Sequence, residues 1–124
     1  MSGKEILVDT NILIYLLDGN TIIEEVLKEK HIYISFITEL ELIGFKNISV
    51  KQEKLIKELL NDCTVLSLNE KIKNNYVSLR KNYSMKLADS IIAATSLATN
   101  IPLFSADKQL KQIKELDLLL FQNN

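Results

Sequence analysis

Glu5-Ile6-Leu7-Val8-Asp9-Thr10-Asn11-Ile12-Leu13-Ile14-Tyr15 passes from one apolar run to another across three polar residues. The first run, Ile6-Leu7-Val8, is short and rich in β-branched residues, as a buried strand requires. Asp9 closes it. Thr10 and Asn11 are helix-capping residue types, and Ile12-Leu13-Ile14 restarts the apolar pattern at once. The chain is therefore expected to leave a strand at Asp9 and enter a helix directly. In an open α/β sheet, ligands bind outside the carboxyl ends of the strands. Asp9 would stand on that edge.

Working outward, Thr10–Leu17 reads as a short helix ended by Asp18-Gly19-Asn20. Thr21–Lys30 reads as a second helix, with Ile22, Ile23, Val26 and Leu27 on one side. His31–Ser35 alternates and is a strand. Phe36–Phe45 is a helix in which Ile37, Leu40, Ile43 and Gly44 are expected to pack inward. Val50–Asp62 is amphipathic, with Leu55, Ile56, Leu59 and Leu60 set against Lys51, Lys54, Lys57 and Glu58. Thr64–Ser67 is a strand, Asn69–Tyr83 a helix carrying Ile72, Tyr76 and Leu79, and Lys86–Asn100 a helix rich in Ala and Ile. Pro102–Ser105 is a strand, Asp107–Ile113 a helix and Leu118–Phe121 a last strand. Strands alternating with helices predict an α/β fold: a five-stranded parallel sheet with right-handed crossovers, flanked on both faces by about seven helices.

Composition narrows the function. The 124 residues suit one domain, long enough to bury roughly two thirds of its unfolded surface. Three Gly and one Pro leave no room for a flexible linker. A net charge of −1 gives none of the basic bias that announces a nucleic-acid binder. Cys63 is the single cysteine, so an intramolecular disulfide is excluded and a reducing cytoplasm is expected. Cys63 itself reads as a small hydrophobe at the start of a buried strand. The N-terminus runs straight into the first strand with no signal-peptide pattern, and no apolar run reaches the ~18 residues that span a bilayer.

Four acids fall at comparable places in this layout. Asp9 ends the first strand, and Asp107 follows the strand that ends at Ser105. In a parallel sheet the helix N-termini share an edge with the strand C-termini, so Asp89, in the first turn of its helix, belongs there too. Glu41 lies about a turn and a half into its helix, and helical side chains lean toward the N-terminus, so its length lets it reach back. Carboxylates converging on one cleft repel each other by several kcal/mol at ~4 Å and an effective dielectric near 20. Raised pKa values or a bound cation relieve this. Oxygen-only ligands select hard cations, Mg²⁺ or Mn²⁺, and such a site can activate water and clamp a phosphate for phosphodiester hydrolysis.

Each acid also has a plainer reading. Asp9 and Asp107 can be N-caps, Asp89 can answer a helix dipole, and Glu41 can be a solvated acid with Glu39 competing for its role. Asn11 and Ser105 either orient the acids or cap backbone groups. The plainer readings do not predict that all four acids reach one edge. His31, the single histidine, opens a strand away from that edge, so a ribonuclease built on a histidine pair is excluded and any hydrolysis needs metal-activated water.

These residues resemble the PIN-domain family, and within it the VapC-type toxins of prokaryotic toxin–antitoxin pairs. Val8-Asp9-Thr10-Asn11-Ile12-Leu13 is similar to the family's first motif and Ser35-Phe-Ile-Thr38-Glu-Leu-Glu41-Leu-Ile-Gly44 to its second, which selects Glu41 over Glu39. Ala88-Asp89-Ser-Ile-Ile-Ala93-Ala94 is similar to the third and Leu103-Phe-Ser105-Ala-Asp107 to the fourth. The resemblance covers the whole chain. It implies a three-layer α/β/α fold, with Asp9, Glu41 and Asp89 as the principal acids around Mg²⁺ or Mn²⁺ and Asp107 completing the site. Thr10, Asn11 and Ser105 would support it. It further implies an RNA substrate, a cognate antitoxin and a homodimer. The fourth motif departs from the usual Thr-x-Asp with a following aromatic, having Ser105 and Leu110 instead. Arg80, Lys81 and Lys86, just before Asp89, could flank the cleft and hold phosphates, or form a solvated helix face.

The competing function is a catalytically silent PIN-like module that binds protein or RNA, against which the presence of all four acids argues. A phosphoryl-accepting receiver or phosphatase also uses an acid at the end of the first strand. It needs a second adjacent acid or Asp-x-Asp, and Asp9-Thr10-Asn11 supplies neither.

Overall fold

In the computed structural model, residues 3–122 are described. Five strands, β1 (Glu5–Val8), β2 (His31–Ser35), β3 (Thr64–Leu66), β4 (Leu103–Ser105) and β5 (Leu118–Leu120), form one sheet. All its pairings are parallel and its order is β3-β2-β1-β4-β5. Six α-helices connect them: α1 (Thr10–Leu17), α2 (Thr21–Leu27), α3 (Phe36–Ile43), α4 (Val50–Asn61), α5 (Glu70–Asn82) and α6 (Leu87–Thr99). The predicted α/β class, the parallel sheet and each strand position are present.

The pleat of the central strand explains the layers. Ile6 and Val8 point to one face, into a core with Ile12, Leu13, Ile23, Leu27, Leu42 and Ile56. Leu7 points to the other, with Ile72, Leu79, Ile92, Ala93 and Ala94. Both faces of β1 are fully covered, as a parallel sheet requires. Because β1 lies between β2 and β4, successive connections leave it in opposite directions, so the boundary between β1 and β4 is the sheet's switch point, where α/β folds bind ligands.

Local chemistry sets the helix starts. Asp9, Asn20, Ser35, Ser49 and Asn69 each accept a hydrogen bond from a backbone N–H of the first turn. Ser49 and Gln52 cap reciprocally. Gly19, at φ +88°, makes the turn between α1 and α2 that a side chain would strain.

Several expectations change. The segment after Asp107 is a 3-10 turn over Lys108–Gln112 rather than an α-helix. Its hydrogen bonds step by three from Asp107 to Leu110 to Ile113 to Leu116, and those three apolar residues are buried together. On α3, Thr38 and Leu42 face inward, while Leu40 and Ile43 are 52% and 59% exposed. Gly44 does not pack into the core either: it caps α3, where a Cβ would meet the Leu40 carbonyl oxygen at 2.9 Å. On α2, Ile22 is turned to solvent, and on α4, Leu55 is largely exposed while Ile56 is buried. Cys63 is half-buried just before β3, and burial pushes its thiol up to about 11.

Candidate active site

Asp9 is 4% exposed at the end of β1. Its own N–H donates to the Phe104 carbonyl at 2.9 Å, which docks the end of β1 against β4. One carboxylate oxygen accepts from the Thr10 N–H at 2.8 Å and the other from the Ser105 hydroxyl at 2.5 Å. Asp9 is thus a helix cap and also a buried acid within reach of other carboxylates. Burial raises its pKa above the ordinary 3.8. The hydrogen bonds from Ser105 and Thr10 oppose that, and the charges of Asp107 and Glu41 add to it.

Ser105, wholly buried at the end of β4, joins two acids. Its hydroxyl donates to Asp9 and accepts the Asp107 N–H at 3.0 Å. Asp107 in turn caps the 3-10 turn, accepting from the Gln109 N–H at 3.0 Å. Asp89 projects from the first turn of α6. Desolvation first, then the charges of Asp9 and Asp107, push its pKa to about 6, against the lowering effect of Lys86. Three carboxyl groups from three separate segments therefore feel one another's charge.

Glu41 stands apart from these three. It lies on an exposed stretch of α3, and its charge acts on Asp9 more weakly than that of Asp107. Its carboxylate accepts from the Thr10 hydroxyl at 2.6 Å. Glu39 occupies the first turn of α3, and the site contact from this helix is made by Glu41. Asn11 accepts the Ala106 N–H at 3.4 Å, a long bond that ties α1 to the segment after β4.

A family model described as PIN domain matches residues 6–116. The chain belongs to the PIN-domain family. Among solved structures it is similar to a chain of a toxin–antitoxin complex from Klebsiella pneumoniae, at 30% identity, a TM-score of 0.79, and 92% and 95% coverage of the two chains. It is also similar to a chain of VapBC-1 from nontypeable Haemophilus influenzae, at 29% identity, a TM-score of 0.78, and 94% and 97% coverage. A chain of VapBC2 from Rickettsia felis, solved with a DNA fragment from its promoter, shares the fold at 20% identity and a TM-score of 0.77, over 95% and 99% of the two chains. A comparison with curated proteins finds no match.

Within this PIN domain, the basic residues are placed unequally. Lys86, at the N-cap of α6, acts on Asp89 electrostatically. Arg80 lies against its own helix, with its guanidinium 5.9 Å from the Tyr76 ring centre and 3.5 Å from the Tyr76 hydroxyl. Lys81 is exposed on α5. A residue given no role from sequence is Thr38, wholly buried, with its hydroxyl 3.0 Å from that of Thr10. Its signal was available: a polar residue on the inward side of a helix, one turn before Glu41.

No group of three or more Asp, Glu, His or Cys side chains among the described residues is already arranged to hold a metal ion. The donor set nevertheless suits one. Asp9, Asp89, Asp107 and Glu41 offer only oxygen atoms, and the raised pKa values of Asp9 and Asp89 reflect burial first and the neighbouring carboxylates second, both of which a divalent cation would offset. A cavity of about 420 Å³ opens at the opposite edge of the sheet, lined by Glu5, Pro102, Glu115 and Asp117 among others, and involves none of these acids.

Proposed function

We propose that this PIN domain is a Mg²⁺- or Mn²⁺-dependent ribonuclease and the toxin of a VapBC-type pair. The observation that carries the reading is the convergence of Asp9, Asp89 and Asp107 at the β1/β4 switch point, with Asp9 and Asp89 held above the ordinary carboxyl range. Asp9, Asp89, Asp107 and Glu41 would hold the metal, which when bound supplies an activated water and charge neutralisation at the phosphate. Ser105 fixes the orientation of Asp9 and positions the backbone of Asp107. Thr10 turns the Glu41 carboxylate toward the same edge. Lys86, which acts on Asp89 electrostatically, would meet a phosphate oxygen of the RNA, and Arg80 and Lys81 would add positive charge nearby. No 2′-hydroxyl chemistry is needed, so the products carry 5′-phosphate and 3′-hydroxyl ends.

The solved relatives near 30% identity come from toxin–antitoxin complexes, which supports a cognate antitoxin as partner. The apolar side chains exposed around α3 and α4, including Leu40, Ile43, Phe45, Val50 and Leu55, are surface that an antitoxin or a second copy of the chain would cover. Among the described residues no helix is long and apolar enough to cross a membrane.

The test is expression of the chain alone in a bacterial host. Growth is expected to slow, and Asp9→Ala or Glu41→Ala to relieve it while Glu39→Ala does much less. Purified protein is expected to cleave RNA with Mn²⁺ and to stop with EDTA. Cyclic 2′,3′-phosphate products, or cleavage indifferent to EDTA, would sink the mechanism.

A further inference from the structure

We propose that Thr38 is a positioning residue for Glu41, acting through Thr10; the inference rests on Glu41 belonging to the nuclease site. Glu41 is an exposed side chain with three rotatable bonds, so nothing in its packing selects one arrangement. What holds it is the 2.6 Å hydrogen bond from the Thr10 hydroxyl. That hydroxyl has a single proton and lies between two oxygen atoms, Glu41 Oε1 and Thr38 Oγ1. An ionised carboxylate only accepts. The Thr10 proton therefore belongs to Glu41, and the Thr38 proton must point at Thr10. The order of donation, Thr38 to Thr10 to Glu41, follows from counting protons.

The surroundings of Thr38 fix the direction of that chain. Helical Ser and Thr commonly bond back to a carbonyl of their own helix. Ser90, Thr95 and Thr99 of α6 do so, at 2.9, 2.8 and 2.8 Å. Thr38 instead turns its hydroxyl across to α1. It is fully buried, so no water competes for its proton, whereas Glu41, three residues on along the same flank of the helix, reaches out to the cleft. Thr10 opens α1 directly after Asp9. The relay thus gears the helix carrying Glu41 to the turn carrying Asp9, a linkage that packing between α1 and α3 alone would not make specific for one carboxylate rotamer.

The test uses the full chain and two variants: Thr38→Val, which keeps the shape and removes the hydroxyl, and Thr38→Ser, which keeps the hydroxyl and removes a methyl. Three-bond couplings along the Glu41 side chain, measured by NMR without metal, report whether it holds one rotamer. A single rotamer is expected in the parent and in Thr38→Ser, and rotamer averaging in Thr38→Val. RNA cleavage is expected to fall roughly 10- to 100-fold in kcat/KM for Thr38→Val, the scale of a misplaced catalytic group, and to return to near the parent value in Thr38→Ser. If Thr38→Val does not fold, Thr38→Ala against Thr38→Ser carries the same contrast, a single hydroxyl at equal loss of the methyl. A fixed Glu41 rotamer without the hydroxyl overturns the proposal, and so does equal averaging in the hydroxyl-bearing variant, which would mark a packing effect. Should the parent cleave no RNA while the couplings behave as expected, the positioning role stands and the nuclease reading falls.

Discussion

The two edges of the sheet both carry acids, and they treat them differently. At the amino edge, Glu5 accepts from the Tyr33 hydroxyl at 2.8 Å, while Glu115 and Asp117 face solvent. A phenol is the neutral partner there, and the visible consequence is that the Tyr33 proton is held more tightly. At the carboxyl edge, Asp9 is buried, Asp89 is half-buried, and each lies in the field of other carboxyls. A large cavity accompanies the first set and not the second. Acid count and cavity size therefore do not mark the candidate site in this molecule. Desolvation combined with convergence of like charges marks it, because that combination is costly and has to be sustained by the rest of the fold.

The largest expected effect tests that contrast directly. Asp9→Asn keeps the shape of a buried, doubly hydrogen-bonded group and removes its charge. RNA cleavage should fall by more than about 100-fold, beyond the loss that outer partners of a metal site produce. Glu5→Gln, at the other edge, should leave cleavage unchanged. Gel-resolved product formation measures both, and similar losses in the two variants would erase the distinction between the edges.

Metal binding should sharpen it next. At Mn²⁺ near 100 times Kd, native-state binding adds ~2.7 kcal/mol, roughly 10 °C in melting temperature for a domain of this size. Asp89→Asn should lose most of that shift, and Glu115→Gln should keep it. An undiminished shift in Asp89→Asn would remove Asp89 from the ligands.

The smallest effect is in pH. Asp89 titrates near 6 in the folded protein against an ordinary 3.8. Between those values the native state keeps a proton that the unfolded chain has released. Stability contributed by that proton is present at low pH and lost as pH rises through about 6. At a half-exposed site, solvent screening reduces the cost to about 1 kcal/mol. Without metal, Asp89→Asn should therefore melt a few degrees above the parent at pH 7.5, and the difference should shrink toward pH 4. A constant difference across that range would assign the gain to something other than the charge.

The elements most legible in the sequence were those whose pattern and boundary chemistry agree. Ile6-Leu7-Val8 closed by Asp9 is such a case, and the amphipathic pattern of Val50–Asn61 is another, to which the structure adds the Ser49–Gln52 capping box. That the acids share an edge was expected because strand ends and helix starts meet there whatever the order of strands; the structure draws Asp9, Asp89 and Asp107 together and ties Glu41 in through Thr10. The phase of short helices was not legible. Over eight residues of α3, Ile37-Leu40-Ile43 and Thr38-Leu42 are competing inward stripes, and two turns are too few for periodicity to choose. The sheet and the Thr10 hydroxyl chose the second, leaving Leu40 and Ile43 exposed while Ile37 still packs against the core, and this also hid Thr38. The 3-10 turn was missed because Leu110, Ile113 and Leu116 repeat every three residues, close enough to 3.6 to read as α over so short a span.

The hydrogen bond that unites Asp9 with Ser105 at the end of β4 spans 96 positions of sequence. That separation gives the site a history as well as a shape. During synthesis Asp9, Glu41 and Asp89 all leave the ribosome before Ser105 does. At ~5–20 residues per second, β1 waits several seconds for β4, the neighbour that completes its pairing. Closing so long a loop costs entropy that only the finished sheet returns. The acid cluster therefore cannot assemble until β4 has left the ribosome and paired with β1.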